Sequence, residues 1–596
     1  MKLGMLKGRL LAGAALTALL FTTASLAPAP NAATEDLRTL VFSRACGPAE
    51  GLARREALGR LLAGAAAYAQ TIPGALDTPP PLMSGLGDAH MDITTASPQA
   101  QAYFDQGLRL LHAFNHAEAI RAFREAQRID PTCAMCFWGE SFAYGPNINA
   151  PMNPADNEVA FNTSRAAFER MSNATPLEQG MIEALQVRYT RIAPENRTGL
   201  DAAYADAMAA VADRFADSDI AQVMAAEAAM DTQPWNYWNA DGRETHGRAG
   251  DAIARVERVL ARSPRNAGAI HLYIHLAEAS IDPWRAEAAA ERLAAVAPAA
   301  GHLVHMPGHI FYRVGRFRES LRLNVSASAA DEAYIRNASP SPIYRYGYYP
   351  HNLHFVMTSA AMAGDARTAL DYANRLDEAL PHEMAAQVVL AQPVRAAPWF
   401  ARAQFDTPAN ILAAEAPAPG IAYVSAAHHY ARGMAFARTG RPAETRAEAQ
   451  AIATLASTAD FSMTDAQGIP AREILRTYAS VLEARALMAE RNYTGAIAEL
   501  ERAVAMQAEI AYTEPPYIYY PIRRTLGAAY LLNRQPARAE MEFLQTLIES
   551  PQDAYAYWGI AEARRQRGDS QGASAARYLF NSAFMGRRGS VNVHDL

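Results

Sequence analysis

AYFDQGLRLLHAFNHAEAIRAFREAQRIDPT, residues 102–132, reads as two amphipathic helices joined by a short turn. Apolar residues recur at helical spacing on both sides of the turn, and Pro131 closes the unit. Gly107 in the first helix and Ala119 in the second are small where two helices must cross closely. Phe123 and Ala126 follow at core spacing and fill the gap toward the next unit.

Similar hairpins recur along the chain. They occupy residues 268–299, 302–331, 350–380, 426–456, 477–506, 521–551 and 554–585. Strand signals are scarce, and the pattern loosens between 140 and 267, where an aromatic-rich insertion, DTQPWNYWNADGRE, interrupts it. The repeat resembles the tetratricopeptide consensus, with its small residues in both helices and its closing proline. That resemblance implies an all-α solenoid of stacked helical hairpins, in which the first helices line a concave groove where ligands bind.

The chain has 596 residues and is half apolar. Lys2, Lys7 and Arg9, followed by LLAGAALTALLFTTASLA and then APAPNAA, read as a secretory signal over residues 1–33. Residues 34–98 read as an N-terminal helical segment with a Pro-rich linker, 99–420 as the solenoid bearing the candidate site, and 421–596 as C-terminal repeats. The expected location is outside the cytoplasm, periplasmic or extracellular. Cleavage removes three positive charges and no acids, taking the formal charge from −6 to −9. An acidic chain argues against nucleic acid as a partner, and no later stretch is apolar enough to span a bilayer. Both lysines lie in the leader, which excludes lysine Schiff-base, general-base and P-loop chemistry for the mature chain.

Three cysteines are present, Cys46, Cys133 and Cys136. In an oxidising compartment Cys133-Ala-Met-Cys136 reads as a disulfide or a buried thiol pair, with redox activity or metal ligation as alternatives. HExxH, GxSxG, GxGxxG after a strand and the P-loop motif are absent.

The strongest functional signal is a repeated histidine pattern. His271, His275 and Glu278 in HLYIHLAEA recur 34 residues later as His305, His309 and Tyr312 in HMPGHIFYR, and 34 is the period of the repeat. Two histidines four apart share a helix face and can chelate one ion, with a carboxylate on the next turn to complete or orient it. His302 precedes the second pair by one turn. In the third hairpin His351 and His354 fall at the register of His302 and His305. A single HxxxH is most often packing, and recurrence in register is what points to metal. The seven candidate ligands are thus His271, His275, His302, His305, His309, His351 and His354. Zinc, copper or iron suits such a donor set.

Glu278 and Tyr312 are the candidate catalytic groups. Arg345, Tyr348, Tyr349, Asn147, Asn149 and Trp235 are the candidate walls of a pocket, and Pro307 is expected to kink its helix. GPNINAPM (145–152), HLYIH, GHLVHMPGHI and YYPHNLHF are similar to segments of a group of exported bacterial tetratricopeptide proteins, most without an assigned activity. The resemblance implies a shared pocket and no particular reaction. The sequence leaves two readings open. One is a metal-binding solenoid, with or without enzyme activity on a small molecule or peptide. The other is a metal-free adaptor that holds a peptide or protein, with the C-terminal repeats as a further docking surface.

Overall fold

The computed structural model describes residues 79–596 except 240, 339, 342, 511 and 588. The expected signal segment, Cys46 and most of the expected N-terminal helical segment lie outside the described residues. Residues 79–97 contain no helix. They run back over the solenoid, where the Tyr103 hydroxyl donates to Pro80 O and the Ala299 N–H donates to Gly85 O.

From Pro98 onward the chain is a succession of antiparallel helix pairs. Pro98–His112 packs on His116–Ile129, Ala267–Glu278 on Glu287–Val296, Tyr349–Ala363 on Ala366–Ala379, and Ala554–Gln566 on Ser570–Ala583. Each pair also contacts the next, so the stack buries faces that single hairpins leave open. Among the described residues there is no β-strand, and only two isolated bridges, Asn147 with Ala150 and Trp238 with Thr245. The fold is the expected all-α solenoid. The loosely patterned stretch 140–267 is helical too, with Asn157–Arg170, Pro176–Leu185, Thr198–Arg214, Asp219–Asp231 and Ala249–Arg262. No helix among the described residues is long and apolar enough to cross a membrane.

Phe123 explains why small residues recur. Its ring is fully buried between Gly107 of its own hairpin and Gly139 of the next. A Cβ at either glycine would lie 2.6 or 2.4 Å from that ring. Phe543 repeats the arrangement between Gly527 and Gly559. One aromatic residue thus pins two consecutive hairpins, and the close approach is what glycine permits.

The C-terminal hairpins return to the middle of the chain. The Gln552 side chain donates to Val314 O, and the Met585 N–H donates to Ala363 O. Gly364 ends the Tyr349–Ala363 helix at φ 79°, where a Cβ would meet the Phe584 ring at 2.0 Å. Residues 512–521 also lie against the middle hairpins, with Arg313 4.9 Å from the Tyr512 ring and His354 3.1 Å from the Tyr519 hydroxyl.

Cys133 and Cys136 form a disulfide at the start of the Ala134–Tyr144 helix, and both are fully buried.

Two substitutions test the stacking. Gly139→Ala should destabilise the protein by about 1–3 kcal/mol, the usual cost of an overfilled core. Gly199→Ala, in the Thr198–Arg214 helix with nothing within 4 Å, should instead stabilise it by about 0.5–1 kcal/mol. Denaturant unfolding reads both, and the two shifts should have opposite signs.

Candidate functional site

Five of the site's histidines lie on the helix Ala267–Glu278 and on the broken first helix of the next hairpin. The second runs Gly301–His305, breaks at Met306, and resumes as Pro307–Arg313. Pro307 has no N–H to donate, so the expected interruption falls there. His351 and His354 lie on Tyr349–Ala363, which a single turn of π-helix, Tyr344–Tyr348, leads into.

The imidazoles form two groups of three. His271, His275 and His302 make one, and His305, His309 and His351 the other. In each group one nitrogen from every ring lies within 4.8 Å of the others. Each group takes the HxxxH pair of one hairpin and the first-turn histidine of the next. The two groups therefore repeat with the solenoid. A phenylalanine packs on each. Phe114 lies 4.4 Å from His271 and 5.7 Å from His302, and Phe355 lies 4.8, 4.7 and 5.1 Å from His305, His309 and His351.

His354 belongs to neither group, and its Nε2 is 3.1 Å from the Tyr519 hydroxyl. The residue four positions on is Thr358, so the third hairpin carries no HxxxH pair and the row ends.

The open concave groove expected from the repeat is not what the chain builds at this point. All seven histidines are buried, none more than 3% exposed. The aromatic insertion and the π-turn help to cover them, with Trp235 4.8 Å from His275 and Tyr348 4.5 Å from His302.

Hydrogen bonds fix most of the protonation pattern. His271 Nδ1 lies 2.7 Å from the backbone oxygen of His112, which can only accept, so this nitrogen carries the proton. His305 Nδ1 lies 2.6 Å from Asn324 Oδ1, and the Asn324 amide N–H2 donates to Ser320 O, which sets the amide orientation. His275 Nδ1 and His309 Nδ1 contact opposite oxygens of one carboxylate, Glu278, at 2.9 and 2.6 Å.

In a neutral imidazole with Nδ1 protonated, Nε2 is a bare lone pair. The Nε2 atoms of His271 and His275 are 3.0 Å apart, and those of His305 and His309 are 2.7 Å apart. His302 Nε2 is 3.1 Å from His271 Nε2. With Glu278 ionised, both pairs set lone pair against lone pair. A proton on Glu278 reaches only one of His275 and His309, so it relieves one pair and leaves the other.

Burial opposes the imidazolium form throughout. It pushes His271 and His309 down to about 3 and holds His275, His302, His305 and His351 well below the ordinary range. Burial also pushes Glu278 well up. A cation between the nitrogens removes both conflicts. Tetrahedral bonds of about 2.0–2.1 Å place neighbouring donor nitrogens roughly 3.3 Å apart, so the 3.0 and 2.7 Å separations of the two HxxxH pairs would open by about 0.3 and 0.6 Å.

The remaining candidates divide. Trp235 donates its indole N–H to Ile148 O, tying the 145–152 segment over His275. Asn147 accepts from the Asn149 and Ala150 N–H groups. The Asn149 amide is buried, and neither its oxygen nor its nitrogen has a hydrogen-bond partner among the described residues. Tyr349 donates to Glu332 on the outer side. Arg345 is exposed and lies over the Tyr346 ring, away from the buried histidines. Glu278 is engaged by two histidines rather than left open as an acid or base. Tyr312 packs against Phe317 and Phe355 instead of repeating the role of Glu278.

The sequence did not single out Asn324, Phe114, Phe355 or the His112 carbonyl. The first lies on a second helix, the two phenylalanines read as ordinary core, and a backbone oxygen leaves no trace in sequence.

Comparison with known proteins adds little. No protein-family model and no curated protein matches the chain. Among solved structures, the APC/C hetero-tetramer Cut9–Hcn1 is 12% identical, covering 91% of this chain and 81% of that one, at a TM-score of 0.27. The human IFIT1 dimer with PPP-AAAA is 11% identical, with 82% and 95% covered, at 0.29. The P58(IPK) TPR domain is 12% identical, with 79% and 99% covered, at 0.22. Likenesses this distant carry no argument about what this chain binds.

Burial makes a prediction about acid. Unfolded histidine takes up a proton below about 6.5, whereas folded His271 and His309 stay neutral down to about 3. Metal-free protein should therefore lose stability as pH falls from 6.5 toward 3. Nitrogen-15 NMR at pH 5 should find both rings neutral, with His271 protonated at Nδ1. Charged rings at that pH would contradict the burial argument.

Proposed function

We propose that this protein is a transition-metal-binding solenoid with two three-histidine centres, suited to zinc or copper. The observation that carries this reading is the set of Nδ1 acceptors on the far side of the four HxxxH rings, His271, His275, His305 and His309. With Glu278 ionised it leaves converging, unprotonated Nε2 atoms in both pairs, and a cation in each group would reconcile them. Ligating histidines elsewhere donate their second nitrogen to a carboxylate or carbonyl in this way. Glu278 serves one histidine of each group, and its negative charge offsets part of the charge two ions would bring. Three nitrogens per ion leave a coordination position for water or a reactant. A cavity of about 540 Å³, lined by His302, Asn115, Glu118, Tyr334 and Tyr344 among others, offers an approach to the first group.

A different surface supports a second reading. On the helix Pro536–Glu549, Met541, Leu544 and Ile548 share one face and are 67, 44 and 73% exposed. An apolar stripe of this kind suits a protein or peptide partner. Docking there is compatible with metal binding in the middle of the chain, and Met541→Glu with Ile548→Glu should leave the metal content unchanged.

Metal analysis of protein made without a histidine tag should find about two ions per chain, one for each group. His275→Gln and His309→Gln should each remove one. Glu278→Gln should weaken both centres by about 10–100-fold, the usual effect of losing an outer-shell partner. Gly308→Ala would place a Cβ 2.4 Å from the Asn324 amide nitrogen, and should weaken only the centre containing His305. Protein that neither carries zinc or copper nor takes it up on titration would overturn the reading.

A further inference from the structure

A second cavity, of about 440 Å³, lies where the loop before the Arg523–Leu532 helix folds against Pro307–Arg313. Its walls are largely aromatic, with Tyr312, Tyr512, Tyr517, Tyr519 and Tyr520, together with Met362. Two acids line it, Glu514 and Glu549, and Glu514, beside the tyrosines, is 2% exposed. Its Oε1 accepts from the Tyr512 hydroxyl. Its Oε2 is buried with no hydrogen-bond partner among the described residues.

The other charges on this cavity are committed elsewhere. Arg523 pairs with Glu542 and Glu549. Arg313 donates to the carbonyls of Glu278 and Ser280 and stacks on the Tyr512 ring at 4.9 Å. Glu514 is thus the one acid on this wall without a bonded counter-charge. Burial, with Glu278 nearby and Arg313 and Tyr512 opposing, pushes its carboxyl up to about 8. The group is costly where it stands. Aromatic faces attract cations, and a buried carboxylate ringed by them is a receptor for one.

We propose that this cavity binds an organic ammonium ion. The ammonium N–H donates to Glu514 Oε2, and the apolar remainder of the ligand lies among the tyrosine rings. The cavity shares no lining side chain with the two histidine groups, and the proposal does not depend on their holding metal.

Calorimetry on the full chain, with its metal content recorded, tests this with three probes of one shape: phenethylamine, 2-phenylethanol and phenylacetate. Phenethylamine should bind saturably and at least about tenfold more tightly than the alcohol, a difference of about 1.4 kcal/mol. Glu514→Gln, which keeps the shape and removes the charge, should abolish that advantage and leave the alcohol's affinity unchanged. Its melting curve checks that it folds. Three outcomes would overturn the proposal: no saturable amine binding up to about 10 mM, binding of the alcohol or the acid as tight as that of the amine, or amine binding indifferent to Glu514→Gln.

Discussion

The Glu278 carboxylate, buried between His275 and His309, is the contact on which the rest of the site depends. Each oxygen takes one Nδ1, so a single side chain sets two rings in two consecutive hairpins. Removing an acid of this kind from water is expensive, and burial pushes it toward its neutral form. Two histidine N–H donors repay part of that cost. Two cations on the far side of the same rings would repay more, through charge that the imidazoles transmit.

The scaffold makes this arrangement repeatable. A solenoid places equivalent residues of successive hairpins side by side, so a histidine pair at one register meets a first-turn histidine of the next hairpin at a fixed offset. That rule gives two groups from three hairpins and stops at the third, where Thr358 stands in place of a second histidine. The same logic governs the core. Phe123 and Phe543 each bridge two hairpins through paired glycines, so the spacing that packs the helices also sets the distance between histidines. Asp331 ties the frame at the site itself. It accepts from the Tyr344 hydroxyl and the Asn352 amide at the start of the His351 helix. Its Oδ1 also occupies the space that a side chain at Gly301 would need.

Much of this was legible in sequence. The small–large alternation and the closing prolines gave hairpins whose helices fall within a few residues of the observed ones. The 34-residue recurrence singled out His271, His275, His305 and His309, all of which fall in the two groups. Two things were not legible. How the histidines divide depends on which ring of the next hairpin leans back, and register alone cannot say; hence His354 was grouped with rings it does not meet. Burial was also hidden, because the cover comes from far along the chain. The turn at Phe114, the insertion at Trp235 and the segment 512–521 close over a face that the repeat alone would leave open. Arg345 read as a pocket residue by its proximity to His351 in sequence, yet the π-turn carries it to the outside.

The most direct measurement is X-ray diffraction at the zinc or copper absorption edge, on crystals of protein loaded with that metal. Two anomalous peaks should appear, one within bonding distance of Nε2 of His271 and His275, the other of His305 and His309. Peaks only at surface carboxylates, or ordinary water between nitrogens in both groups, would contradict the account.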